Sequence, residues 1–192
     1  MTADKSSSFN GYQRMAKGMK IAAALSLVAT VVFAYLYEST SYEILLSLAI
    51  TFGTAAYHLL MRLSAGLMFD IIMKNKADLN SKWYRVSSRE MEIYKKLKVH
   101  GLKSKMPTYD SSLFDPKIHS LREIACATCQ AELVHETIAV LSFLPIVAGV
   151  WFGAFPVFII TSVLSASFDM IFVIMQRYNR QRIMQLLSRK EH

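Results

Sequence analysis

The chain has 192 residues, of which 53% are hydrophobic and 19% charged, and its mean hydropathy is +0.29. That balance excludes a disordered chain, which is poor in apolar residues. Two cysteines exclude a disulfide scaffold. The net charge of +8 sits on the flanks of apolar runs, which suits contact with anionic lipid headgroups; no nucleic-acid motif accompanies it, so nucleic acid is not an expected partner.

In chain order, a tail with Lys5, Arg14, Lys17 and Lys20 leads into the uncharged run Ile21–Tyr37. A second run, Ile44–Met61, follows a short acidic link from Glu38 to Glu43. These runs hold 17 and 18 residues, and roughly 20 are needed to cross about 30 Å of hydrocarbon, so each is one span with help from its flanks. A cleaved leader is the rival reading of the first run. It lacks a small-x-small cleavage site, and its loss would leave three spans with conflicting charge placement, so retention as an anchor is expected.

The segment of about 73–123 carries twelve Lys/Arg against six Asp/Glu between Lys74 and Glu123 and is not a domain of its own. Within it, Ser87 with Glu90 reads as a capping box, and Met91, Tyr94, Leu97 and Leu102 recur at helical spacing among lysines, as in a basic helix lying on a membrane surface. Lys103–Pro116 reads as a loop, and Leu121 opens a helix that runs into the third span. The run Thr137–Phe168 holds 32 residues, about 48 Å as one helix, with Gly153-Ala154-Phe155-Pro156 as a turn signal inside it. It therefore makes two spans.

The expected fold is an all-α integral membrane protein forming a single membrane domain, residues 1–192, with spans at about 18–38, 43–70, 131–152 and 156–178. Lys and Arg concentrate in the two tails and the central segment, which the positive-inside rule places in the cytoplasm. The expectation is a multi-pass protein of the cell membrane with both termini cytoplasmic.

Ionisable groups within or beside spans are costly and point to function. At 100° per residue Cys129, Glu132, His135 and Glu136 share a face of the third span, His58 and Arg62 stack four apart on the second, and Asp169, Gln176 and Arg180 share a face of the fourth. Several charges thus converge at one depth. Arg62 could equally be an anchor paired with Asp169, and Glu132 and His135 an ordinary helix-end ion pair. A di-iron site needs a second Glu-x-x-His, so no metal is expected. Cys126 and Cys129 read as small packing residues, since neither a redox fold pattern nor a second Cys pair is present.

The segment Cys-Gln-Ala-Glu-Leu-Val-His-Glu ending at Glu136, the following Phe143-Leu-Pro145, and Gln176-Arg-Tyr-Asn-Arg-Gln-Arg182 resemble the glycosyl-4,4'-diaponeurosporenoate acyltransferases, small membrane proteins of staphyloxanthin-type carotenoid biosynthesis. The resemblance runs from about Trp83 to Leu187. Members carry Arg-Ala-Glu-Leu-x-His-Trp and Gln-Arg-Tyr-Asn-Arg-Pro-Arg type motifs. The matching positions here are Gln130, Ala131, Glu132, Leu133 and His135, then Gln176, Arg177, Tyr178, Asn179, Arg180 and Arg182. Gln130 stands for Arg, Glu136 for Trp and Gln181 for Pro.

The resemblance implies transfer of a fatty acyl group to a hydroxyl of a glycolipid or other lipid-like acceptor. For that chemistry His135 is the expected general base, with Glu132 or Glu136 orienting it. Substrate binding falls to Gln130, Arg177, Tyr178, Asn179, Arg180 and Arg182, with His58, Arg62 and Asp169 deeper in the bundle. The arginines suit the phosphates of a donor such as acyl-CoA or an acyl carrier protein thioester. The His-x-x-x-x-Asp motif of glycerolipid acyltransferases and a Gly-x-Ser-x-Gly nucleophile are both absent. Three alternatives stay open: a small transporter, which with four spans would need a homodimer, a lipid-binding scaffold without catalysis, and a lipid-modifying enzyme of another class that uses a nucleotide cofactor.

Overall fold

The computed structural model describes residues 3–101 and 112–190 and contains six α-helices and no strand among them. They are α1 (Ala3–Thr40), α2 (Glu43–Met73), α3 (Ser88–Lys96), α4 (Leu121–Leu141), α5 (Pro145–Phe152) and α6 (Phe155–Lys190). By length and composition four helices can cross a membrane: Met15–Thr40, Glu43–Met73, Leu121–Phe152 taken across the α4–α5 break, and Phe155–Arg189. The first, second and fourth extend beyond the ends expected from their apolar runs. Polar residues continue each helix because its backbone hydrogen bonds carry on past the hydrocarbon-sized stretch.

The exposed surface is apolar where a soluble protein's would be polar. Leu25, Val28 and Val31 on α1, Ile71 and Ile72 on α2, and Val140, Val150 and Trp151 on α4 and α5 are all exposed, while many of the buried positions hold small or polar side chains. Burying apolar surface drives no association in hydrocarbon, so helices join where small residues let backbones approach. Ala23, Ala49 and Ala56 serve α1 and α2, where Phe33 also stacks on Phe52 at 5.6 Å. Ala125, Ala127, Cys129, Ala139 and Ala166 serve α4 and α6.

The third span is interrupted. Pro145 has no N–H to continue α4, and the chain restarts as α5 with Pro145 in its first turn. Gly153, at φ 67°, closes α5 and reverses the chain into α6. A Cβ at Gly149 would lie 2.6 Å from the Phe155 ring, so only glycine lets α5 sit against the start of α6.

The segment between α2 and α4 wraps one end of the bundle. Ser87 and Glu90 form the expected capping box at α3, which presents Tyr94 and Met91 inward to a cluster with Val99, Phe172, Met175 and Tyr178. Leu97 is exposed, and Leu102 and most of the loop Lys103–Pro116 lie outside the described residues. A second capping box, Ser120 with Glu123, starts α4. Gln130 accepts from the Asn75 N–H at 2.7 Å and donates to Asp70 at 2.7 Å, which ties the end of α2 to α4.

Candidate functional site

The polar residues form two clusters rather than one. The first is centred on Glu132 of α4, whose side chain is fully buried. Its Oε1 accepts from Arg177 Nη1 at 2.6 Å and its Oε2 from Arg180, which is itself 2% exposed. The same guanidiniums hold the 82–101 segment: Arg177 donates to the carbonyls of Trp83 and Arg85 and to Glu90 Oε1 at 3.1 Å, and Arg180 donates to the Tyr84 carbonyl at 2.8 Å while lying 5.0 Å over the Tyr84 ring. Two arginines one helical turn apart can do this because each carries five donors in a rigid fork.

Arg177 and Arg180, expected to meet the phosphates of a donor, direct their forks to Glu132 and to the three consecutive carbonyls of Trp83, Tyr84 and Arg85. Arg182 lies 5.8 Å over the Tyr178 ring. Tyr178 and Gln176 are buried and Asn179 is half-buried. At the wrapping segment, burial together with Cys129 and Glu132 pushes the Tyr84 phenol up to about 12. Burial disfavours the charged Glu90, but the Ser87 N–H and Arg177 outweigh it and hold its carboxyl below the ordinary 4.5.

The second cluster joins three helices. His135 Nδ1 lies 2.8 Å from Asp169 Oδ1, and the imidazole stacks on Phe172 with centroids 4.6 Å apart. Arg62 of α2 reaches the same carboxylate, Nη1 to Oδ1 at 2.9 Å and Nη2 to Oδ2 at 2.6 Å, and donates to Ser165 Oγ at 2.9 Å, which in turn meets Ser142 Oγ at 2.9 Å. Asp169 is fully buried and His135 is 23% exposed at its side chain, so the acid is locked while the ring is reachable. His58 is close by on α2, with both ring nitrogens buried and without a hydrogen-bond partner among the described residues.

Two further expectations are corrected by this geometry. The acid in contact with His135 is Asp169, not Glu132, which pairs with the arginines, nor Glu136, whose Oε2 accepts from Trp83 Nε1 at 3.1 Å. Asp169 and Arg180 share a face of α6 but sit eleven residues apart, about 16 Å, and so belong to different clusters. The anchor pairing of Arg62 with Asp169 is present. Cys129 is buried, Cys126 contacts the Ala77 carbonyl at 3.6 Å, and both are free thiols, in keeping with packing roles. No group of three metal-ligating side chains occurs among the described residues.

Sequence reasoning missed Trp83, Tyr84, Glu90, Ser142 and Ser165. The capping box marks Glu90, but nothing local marks the others, because their roles come from contacts across 23 to 103 residues.

An all-helical chain with four helices able to cross a membrane, a buried Glu–Arg clamp and a His–Asp pair between spans defines a membrane protein with a built polar centre. A model of the glycosyl-4,4'-diaponeurosporenoate acyltransferase family matches residues 80–189, more than half of the chain, and the protein belongs to that family. The match covers α3, α4, α5, nearly all of α6 and the wrapping segment from residue 80 on, and therefore both Glu132 and the His135–Asp169 pair. No curated protein and no solved structure matches the chain.

Proposed function

We propose that the protein is a membrane-embedded acyltransferase that moves a fatty acyl group from a thioester donor to a hydroxyl of a glycolipid or similar lipid acceptor. The reading places it in the cell membrane with both termini and the wrapping segment on the cytoplasmic side, where acyl-CoA or acyl carrier protein is available and the basic flanks meet anionic headgroups. The observation that carries it is the His135–Asp169 contact at 2.8 Å with the ring still reachable.

With Nδ1–H donated to Asp169, the lone pair of Nε2 is free to take a proton. The acceptor hydroxyl attacks the thioester carbonyl carbon as Nε2 takes its proton. The imidazolium so formed is stabilised by Asp169, and the tetrahedral intermediate collapses with cleavage of the carbon–sulfur bond. His135 returns the proton to the departing sulfur, leaving an ester and a free thiol. Arg62 neutralises Asp169 in the resting protein, since an unpaired carboxylate at this depth would be too costly to keep charged. Glu132, Arg177 and Arg180 act as positioning residues that fix the wrapping segment over the site.

The experiment is lipid mass spectrometry of a host supplying glycolipid acceptors, comparing wild type with His135→Ala and Asp169→Asn at matched protein levels. An acylated species made by the wild type and missing from His135→Ala is the expected result. Full product from His135→Ala would eliminate the mechanism.

A further inference from the structure

A groove of about 900 Å3 runs between α4 and α6 on a face set about 100° of helix rotation from His135. From α6 it is lined by side chains spaced between Val163 and Ile174, about 16 Å of helix. From α4 and the turn after it, the groove is lined by Glu136, Val140 and Phe143. Its walls are nearly all hydrocarbon; its polar groups are Ser167 on α6 and, at one end, the hydrogen-bonded pair of Trp83 and Glu136.

That end is built to receive a hydrogen-bond donor. Glu136 Oε2 accepts from the Trp83 indole, whereas Oε1 takes no hydrogen bond from the described residues. A carboxylate oxygen facing an apolar channel is costly unless a donor satisfies it. The carbonyl of a thioester is only an acceptor and a free fatty acid is repelled, so neither head suits this position. A hydroxyl suits it.

We propose that this groove is the site of the acceptor lipid: a long hydrocarbon chain lies along Val140, Phe143, Val163 and Ile171, and a hydroxyl of its polar head donates to Glu136 Oε1 beside the exposed Trp83. The word acceptor rests on the acyl-transfer reading; binding of a hydroxyl-headed lipid does not. Glu136 follows His135 directly on α4, so the head is held at the level of the proposed base. The tail points along the span toward the α4–α5 break.

The test uses the full-length protein in lipid nanodiscs and a long-chain alkyl glucoside with a diazirine at the chain end, with cross-linked peptides mapped by mass spectrometry. A fatty-acyl thioester carrying the same diazirine forms the second arm. The glucoside is expected to label the α4 and α6 residues of the groove. Glu136→Leu should reduce that labelling about tenfold, the worth of one hydrogen bond to a charged group. Val140→Trp and Val163→Trp, both at lipid-exposed positions that need no repacking of the bundle, should each block it. Leu67→Trp, exposed on α2, should leave it intact. Labelling spread evenly over the lipid-facing helices, or groove labelling by the thioester and not the glucoside, would overturn the assignment. His135→Ala should bind as wild type does. If groove labelling is normal but no donor supports turnover by the wild type, the transferase reading falls and the groove assignment stands.

Discussion

Arg62 and His135 approach one carboxylate, that of Asp169, from two different helices, and both reach its Oδ1, at 2.9 and 2.8 Å. A single buried acid therefore ties α2 and α4 to α6. Its two partners respond differently to substitution, because Arg62 carries a permanent charge and His135 does not.

Removing one member of a buried ion pair leaves the other uncompensated, at a cost of about 3–5 kcal/mol, whereas replacing both by apolar groups is often neutral. Asp169→Leu is therefore expected to lower the thermal unfolding midpoint in detergent sharply, and Arg62→Met to lower it as well. The double variant Arg62→Met, Asp169→Leu should regain most of the loss. It should not regain acyl transfer, since His135 then lacks its orienting acid.

His135→Ala removes a ring that is partly exposed and stacked on Phe172, so its effect on folding is expected to be modest. Its effect on transfer is expected to be 10²-fold or more, roughly the share that a positioned general base supplies. Melting curves and product formation measured on one preparation would separate the two, and parallel losses of both would argue for a structural role.

Glu132, fully buried, bridges two guanidiniums. Glu132→Ala is expected to release the three carbonyls held by Arg177 and Arg180, which shows as faster proteolysis within 82–101 and faster amide exchange at α3. Glu132→Asp, which keeps the charge on a shorter stem, should fall between wild type and Ala in both measurements.

Acid should loosen the same segment through Glu90. Its folded value lies below the ordinary 4.5 because the Ser87 N–H and Arg177 outweigh the effect of burial. A depressed carboxylate contributes stability above the unfolded value and loses it as the pH falls through the folded one. Exchange protection at α3 is expected to hold at neutral pH and to decline below about 4.5, and Glu90→Gln should show a flatter decline.

Gly149→Leu tests the α5–α6 contact. The Phe155 ring leaves no room for a side chain there, so a lower unfolding midpoint is expected. Ala148→Leu, one position away, changes the same helix without that clash.

The membrane-length helices, the α3 capping box and the reversal at Gly153 were all readable from the residues alone, since each depends on interactions within a few positions: hydropathy over one span, a Ser paired with a Glu three residues on, a glycine that tolerates φ 67°. The family motifs were readable for the same reason, as contiguous strings. What the sequence could not order was the pairing among charges that share a depth. Glu132, His135 and Glu136 fall within about 100° of arc on α4, and helical periodicity makes either acid a fair partner for the imidazole. Tertiary packing decided otherwise. The arginines of α6 claim Glu132, Trp83 claims Glu136, and only α6 running antiparallel to α4 brings Asp169 to His135 across 34 residues of chain. In low dielectric each buried charge must find its partner, and which partner it finds is set by the depth and rotation at which helices meet, quantities that no local pattern encodes.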